Sequence, residues 1–219
     1  MNGTNQSMES EDLAFMGKIN ASISHELKNI MAIISETSGL LNDLMEMADR
    51  GKKVDPEMVR GCCRDIEEEI QRGFATIKQM NRFAHSVDER FETVDLNKIL
   101  KLMIGLSGFL SYASDIQFDA DGQDGVQITT CPFRLQNLIY RSLIFAFNQA
   151  GTRGKVAMGM HPEDNGGARI SIAGFEIQTA DTFFTDDATL QLAASIGAEL
   201  NVHADRRGFD IQLPNRSVG

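Results

Sequence analysis

The sequence has few cysteines, no excess of positive charge and no long apolar run. Its three cysteines, Cys62, Cys63 and Cys131, form neither a disulfide framework nor a zinc-binding spacing, which indicates a reducing compartment. The net charge of -10 argues against nucleic acid as the main partner and against an anionic membrane surface, because both need a basic face.

No segment approaches the roughly 20 apolar residues that span a bilayer. Residues 1–11 are polar and acidic, unlike a secretory signal peptide, and we expect them to form a disordered lead. Hydrophobic residues make up 42% of the 219 residues, which is enough for a core. We therefore expect a folded cytoplasmic protein without a membrane partner.

Two long helical patterns come first in the chain. Apolar residues spaced three and four apart predict one helix over about residues 12–50 and a second over about 56–90. Between them, Gly51 suits a helix C-terminus, Asp55 an N-cap and Pro56 a first turn. A short turn between long helices predicts an antiparallel hairpin. The two apolar stripes consist of Met16, Ile19, Ile23, Leu27, Ile30, Ile34, Leu41, Leu44 and Ala48, and of Val59, Cys62 or Cys63, Ile66, Ile70, Phe74, Ile77, Met80, Ala84 and Val87.

One hairpin alone would leave both apolar stripes half exposed. We therefore expect two copies to form a four-helix bundle, that is, a homodimer with a two-fold axis along the bundle.

After about residue 91 the pattern changes to short alternating runs between helical segments. This order predicts an α+β chain in which the hairpin, residues 12–91, precedes a two-layer α/β sandwich, residues 92–219, with one mixed sheet and helices on one face. The expected helices cover 96–113, 132–150 and 186–196, and the expected strands cover 116–119, 126–129, 155–160, 169–173, 199–204 and 208–213.

A polar group of side chains interrupts the first helical pattern at residues 24–29. On a helical projection, His25 lies opposite the apolar stripe, Asn29 lies one turn further on the same face, and Glu26 flanks them. Such an imidazole is accessible to the chemistry of another protein. An exposed histidine without a role is the alternative that the pattern alone leaves open.

Over roughly residues 13–214 the sequence resembles the sensor histidine kinases of two-component signalling. Residues 25–29 (His-Glu-Leu-Lys-Asn) are similar to the phosphoacceptor box of the family, residues 92–96 to the link into its ATP-binding domain, and residues 208–214 to the last strand of that domain. One departure is Ile30, where the family commonly has proline. The resemblance implies a dimerisation and histidine-phosphotransfer hairpin followed by an ATPase-like domain.

The nucleotide-binding boxes of the family are altered in this sequence. Arg141, one turn after Asn137, stands where the family has the asparagine that holds magnesium. The segment 173–176 lacks the aspartate that binds adenine, and segment 183–187 (Phe-Phe-Thr-Asp-Asp) replaces a glycine-rich stretch. These changes imply a degenerate site without ATP, and no cofactor bound by this chain.

The resemblance therefore implies a histidine phosphotransferase that passes phosphoryl groups between the receiver domains of response regulators through a phosphohistidine at His25. Glu26 would hold the proton of the other ring nitrogen, and magnesium would come from the receiver. Asn29 could orient water as in family phosphatases. Receiver docking would use the helix after His25, at Lys28, Ala32, Ser35 and Glu36.

Two other functions remain open from the sequence. One is a divergent sensor histidine kinase or phosphatase that still uses ATP. The other is a non-enzymatic dimeric adaptor for two-component signalling, in which the kinase-like body serves only as a docking surface.

Overall fold

The computed structural model describes residues 2–107, 115–119, 125–151, 154–178 and 182–215. The chain divides into two compact units. Ile19–Arg82 forms a helical unit, and Met1–Lys18 together with Phe83–Gly219 forms an α/β unit.

Two helices build the helical unit. Helix α1 covers Asn2–Asp49 and helix α2 covers Pro56–Ala84. Gly51 ends α1 at a φ of 76°, where its amide donates to the carbonyl of Ala48. Asp55 caps α2, because its carboxylate accepts a hydrogen bond of 3.0 Å from the amide of Glu57. The predicted hairpin and its turn are therefore present.

Small residues of α2 pack against branched residues of α1 inside this unit. Gly73 is buried, and a Cβ placed on it would lie 3.7 Å from Ile30 Cγ2. Because a glycine brings the two helix backbones close, Ile30 is fully buried. The buried residues of the helical unit are Ile19, Ile23, Glu26, Ile30, Leu44, Cys62, Gly73 and Thr76.

Other members of the expected stripes are less buried in the single chain. On α1, Leu27, Ile34 and Leu41 are half-buried and Ala48 is exposed. On α2, the exposed fractions of Ile70, Phe74 and Ile77 are 42%, 63% and 41%. These three side chains lie at i, i+4 and i+7, and therefore form one exposed apolar stripe along α2.

The α/β unit contains a five-stranded mixed sheet and a separate two-stranded one. The elements in order are β1 (Glu92–Asp95), α3 (Leu96–Ser107), β2 (Asp115–Asp119), β3 (Gln127–Thr130), α4 (Pro132–Ala150), β4 (Lys155–Pro162), β5 (Ala168–Ala173), α5 (Asp187–Ile196), β6 (Glu199–Val202) and β7 (Gly208–Leu213).

The larger sheet has the strand order β2-β4-β5-β7-β6, in which β2 and β4 are parallel and the other pairs are antiparallel. Strands β1 and β3 pair only with each other, so the expectation of one sheet is corrected. Residues 108–113 of the expected third helix lie outside the described residues. The predicted α+β class with a two-layer sandwich is confirmed.

Alternation along the strands separates an apolar face from a polar one. Met158, Ile170 and Ile211 are among the buried residues of neighbouring strands. The next residues along β5 and β7 are polar, and Asp210 accepts a hydrogen bond of 2.9 Å from His203 Nε2. Helix α4 contacts β4 and β5, helix α5 contacts β6, and helix α3 packs on α4.

The first turns of α1 belong to the α/β unit. Phe15 is buried, and its ring centroid lies 5.4 Å from those of Phe83 and Phe133 and 5.2 Å from that of Tyr140. This aromatic cluster explains why the unit boundaries fall after Lys18 and before Phe83 rather than at the expected residues 11 and 91.

The helix also begins earlier than expected. Residues 2–11, expected to be a disordered lead, are the first part of α1. They contain no proline and only one glycine, so the backbone can continue the helix that the Phe15 contacts hold in place. Within the described part of the chain, no helix combines the length and hydropathy needed to cross a membrane.

Replacing Phe15 by alanine should lower the free energy of unfolding by about 3–5 kcal/mol, because the change removes a buried ring from an aromatic cluster and leaves a cavity. Denaturant unfolding followed by circular dichroism measures this. The control is Leu13→Ala on the same helix, where the side chain is 69% exposed and a change within about 0.5 kcal/mol is expected. Equal losses for both variants would contradict the packing described.

Candidate functional site

His25 and Asn29 form an exposed pair on α1. Four residues separate them, so their side chains lie one above the other on the helix. The side-chain Nδ2 of Asn29 is 3.2 Å from His25 Nδ1, and both residues are exposed. The other ring nitrogen, Nε2, is the position left for a reaction with another molecule.

Glu26 is rotated about 100° around the helix from His25 and faces α2. It is only 4% exposed and forms an ion pair with Arg72 of α2. Arg72 also contacts Glu69 at 3.3 Å. Partial burial would lower the pKa of the Arg72 guanidinium, but the hydrogen bond and charge of Glu26 outweigh it and raise that pKa.

The expected role of Glu26 therefore changes. The resemblance implies that Glu26 holds the proton of the second ring nitrogen of His25, yet its carboxylate pairs with Arg72. Among the described residues, the side-chain hydrogen bond recorded for the His25 ring is to Asn29. The reason is helical spacing: Glu26 follows Ile23 by three residues and precedes Ile30 by four, so it lies on the buried face.

The four residues predicted for receiver docking all lie on the solvent side of α1. Lys28, Ala32, Ser35 and Glu36 are exposed, and their spacing of three or four residues continues the face that carries His25. The helix therefore presents a continuous open surface on the C-terminal side of the imidazole.

In the α/β unit, Arg141 joins two carboxylates. Its guanidinium contacts Glu11 of α1 at 3.1 Å and Asp186 at 2.8 Å. Asp186 also caps α5, because it accepts hydrogen bonds from the Thr189 amide at 2.9 Å and the Thr189 hydroxyl at 2.7 Å. The Thr189 hydroxyl, with the Thr189 amide and the Arg141 charge, lowers the pKa of Asp186 although partial burial opposes this.

Asn137 of α4 also contacts a carboxylate of α1. Its side-chain nitrogen donates a hydrogen bond of 3.3 Å to Asp12 of α1. Burial raises the pKa of Asp12, although the Asn137 hydrogen bond opposes this. The space between Asn137, Arg141 and the start of α5 measures ≈ 10 Å³, enough for about one water molecule.

Phenylalanine rings fill the neighbouring region. Phe145 of α4 stacks on Phe183 with 4.7 Å between ring centroids, and Phe175, Phe184 and Phe209 lie 5.5–6.0 Å from Phe145. Segments 173–176 and 183–187, which the sequence resemblance assigns to nucleotide binding, therefore meet α4 through aromatic and acidic side chains.

Two features of these sites were missed from the sequence. The spacing of Glu26 within the buried stripe was a signal that could have been used, but its partner Arg72 depends on how the two helices align. The contacts of Glu11 and Asp12 with α4 join residues about 125 positions apart, and no local pattern indicates them.

The described residues contain no group of three or more histidine, cysteine, aspartate or glutamate side chains placed to hold a metal ion.

Arg72→Ala should destabilise the helical unit by about 2 kcal/mol. Loss of the guanidinium leaves the Glu26 carboxylate buried without its partner; the value lies below that of a fully buried pair because the Arg72 side chain is 47% exposed. Thermal or urea unfolding measures the change. Arg64→Ala, an exposed arginine on the same helix, is the control. A double variant Glu26→Leu with Arg72→Met should recover most of the loss.

Comparisons with known proteins give matches only among solved structures, since no protein-family model and no curated protein matches the sequence. The catalytic domain of histidine kinase ThkA matches at 16% identity with a TM-score of 0.48, over 58% of this chain and 98% of that one. Acinetobacter baumannii histidine kinase AdeS matches at 12% identity with a TM-score of 0.46, over 83% of this chain and 96% of that one. ThkA in complex with the response regulator TrrA matches at 17% identity with a TM-score of 0.49, over 99% of this chain and 67% of that one. At these identities the similarity is one of fold.

Proposed function

We propose that this protein is a histidine phosphotransferase that passes phosphoryl groups between response-regulator receiver domains through a phosphohistidine at His25, in the cytoplasm. The exposed His25 on α1, with Asn29 one turn away and an open helix surface beyond it, is the observation that carries this proposal. An imidazole in this position can reach the reactive carboxylate of a partner, which a buried histidine could not do.

The reaction needs little from this chain besides a nucleophile held in place. The imidazole attacks the phosphorus of a receiver phospho-aspartate in line, and the aspartate carboxylate leaves. Acyl phosphate and phosphohistidine are both high in energy, so the transfer can run in either direction. The magnesium and the acidic pocket belong to the receiver, while Lys28, Ala32, Ser35 and Glu36 provide the surface on which it docks.

We further propose that the chain does not bind ATP. The side chains that the resemblance assigns to the nucleotide site are engaged with one another: Arg141 with Glu11 and Asp186, and Asn137 with Asp12. A cation in place of a metal ligand cannot coordinate magnesium, and carboxylates beside it repel polyphosphate. The space of ≈ 10 Å³ bordered by Asn137, Arg141 and Leu192 has room for about one water molecule.

The exposed apolar stripe of α2 supports a homodimer. Ile70, Phe74 and Ile77 lie on one helix face and are each more than 40% exposed. On α1, Met31 and Met45 are 58% and 53% exposed. Contact between two such hairpins would remove these side chains from water in a four-helix bundle, as an apolar stripe at this spacing requires.

A phosphatase activity is a second candidate, and the position of Asn29 favours it. Its amide is exposed next to His25 and can orient a water molecule against the phospho-aspartate of a docked receiver. Transfer and hydrolysis would then share one docking surface.

Incubation with phosphorylated receiver domains from the same genome tests the transfer. The wild-type protein should acquire the phosphoryl label in an acid-labile, alkali-stable form, whereas His25→Gln should acquire none, because glutamine keeps the helix but lacks the nucleophile. His85→Gln, at an exposed histidine of the α/β unit, is the matched control and should label as the wild type does.

The same preparation separates the alternatives. A divergent kinase would label His25 from ATP and magnesium alone, and an adaptor would keep its signalling effect in cells that carry His25→Gln. Either result would contradict the proposal. Calorimetric titration with ATP and magnesium should give no binding heat at micromolar protein concentrations.

Phe74→Asp should convert the dimer to a monomer, since a charge on the exposed stripe would have to be buried in the bundle. Sedimentation velocity measures the mass of each variant. Met58→Asp serves as control, because Met58 is a 51% exposed apolar residue of α2 outside that stripe. A wild-type protein that sediments as a monomer at micromolar concentration would refute the dimer.

A further inference from the structure

We propose that Asn29 is the positioning residue of His25: it occupies the Nδ1 side of the ring and thereby directs phosphoryl transfer to Nε2. This proposal deepens the proposed function and rests on it. Its basis is the 3.2 Å contact of Asn29 Nδ2 with His25 Nδ1, a place that the amide oxygen takes when the amide turns by 180°, together with the ion pair that holds Glu26 inside the hairpin.

Glu26 is the obvious candidate for this role, since it is the acidic neighbour of His25. Helical geometry rotates consecutive side chains by about 100°, so residues 25 and 26 cannot both face solvent at the centre of one face. Glu26 faces Arg72, and breaking that pair would leave a buried charge. Asn29, four residues on, lies above His25 and makes the contact instead.

The amide of Asn29 can serve the ring in either orientation. With Nδ2 toward His25, it donates to an unprotonated Nδ1 and the ring proton resides on Nε2, which is then not nucleophilic. Rotation of the amide by 180° brings its oxygen to the same place. The oxygen accepts the proton of Nδ1, and the lone pair of Nε2 becomes free to attack.

Phosphoryl transfer forms one bond to phosphorus and breaks another. The Nε2 lone pair forms the bond to phosphorus, and the bond between phosphorus and the receiver aspartate breaks, with its electron pair remaining on the carboxylate. The proton stays on Nδ1 in a hydrogen bond to the Asn29 oxygen. The phosphorylated ring therefore carries one positive charge when it forms, and that oxygen stabilises it.

Nitrogen-15 NMR of the unphosphorylated protein provides a test that needs no receiver. At alkaline pH, where imidazole is neutral, the two ring nitrogens of His25 report which one holds the proton. We expect a larger Nδ1-protonated fraction in wild type and in Asn29→Asp, whose carboxylate can only accept, than in Asn29→Ala. Asn42→Ala, at an exposed asparagine further along α1, should behave as wild type. An equal fraction in wild type and Asn29→Ala would overturn the proposal.

Chemical phosphorylation with phosphoramidate gives a second readout on the same variants. This small donor transfers its phosphoryl group to imidazole and releases ammonia, so it reports the ring alone. Phosphorus NMR, taken as the difference from His25→Gln, should show only the Nε2 isomer for wild type and both isomers for Asn29→Ala. The same mixture in both proteins would refute the assignment.

With a phosphorylated receiver as donor, Asn29→Ala should slow transfer by about tenfold, the effect of one hydrogen bond, and Asn29→Asp should restore the rate. The first two measurements do not involve receivers. A protein that shows the expected ring behaviour but accepts no phosphoryl group from any receiver would therefore disprove the proposed function and leave the assignment of Asn29 intact.

Discussion

The ion pair between Glu26 and Arg72 connects the two helices of the helical unit next to the exposed His25. A carboxylate between Ile23 and Ile30 is costly to bury unless a cation meets it, and Arg72 meets it from α2. Once Glu26 faces inward, the turn of the helix puts His25 outward. The ion pair therefore joins α1 to α2 at Glu26, and His25 lies exposed next to it in the sequence.

The acidic character of the chain acts differently in the α/β unit. There Glu11, Asp12 and Asp186 surround Arg141 and Asn137, and the guanidinium compensates carboxylates of its own chain. A site that binds a polyphosphate needs the reverse, that is, donors and cations left free for the ligand. Some of the acidic residues that argue against nucleic acid as a partner therefore bind Arg141 and Asn137 of the same chain.

Periodicity was sufficient to predict the hairpin, its turn at Gly51 and Pro56, and most strands, because each depends on local spacing and turn chemistry. It placed Leu27 rather than Glu26 on the buried face, since a charged residue was not counted in an apolar stripe. The spacing of Ile19, Ile23, Glu26 and Ile30 is nevertheless regular. The partner Arg72, the Phe15 cluster and the early start of α1 depend on tertiary contacts, which one sequence does not reveal.

The small and the large side chains of α2 lie on different faces of the helix. The face that packs on α1 carries small side chains, Gly73 and Thr76, whereas the exposed stripe carries the large ones, Ile70, Phe74 and Ile77. A hairpin selected for stability as a single copy would place its largest apolar groups between its own helices, where their burial contributes most. On α2, Ile70, Phe74 and Ile77 stay exposed in the single chain, and the proposed dimer would bury them. The exposed stripe of α2 is therefore the surface on which the proposed dimer depends, whereas His25 is already exposed in the single chain.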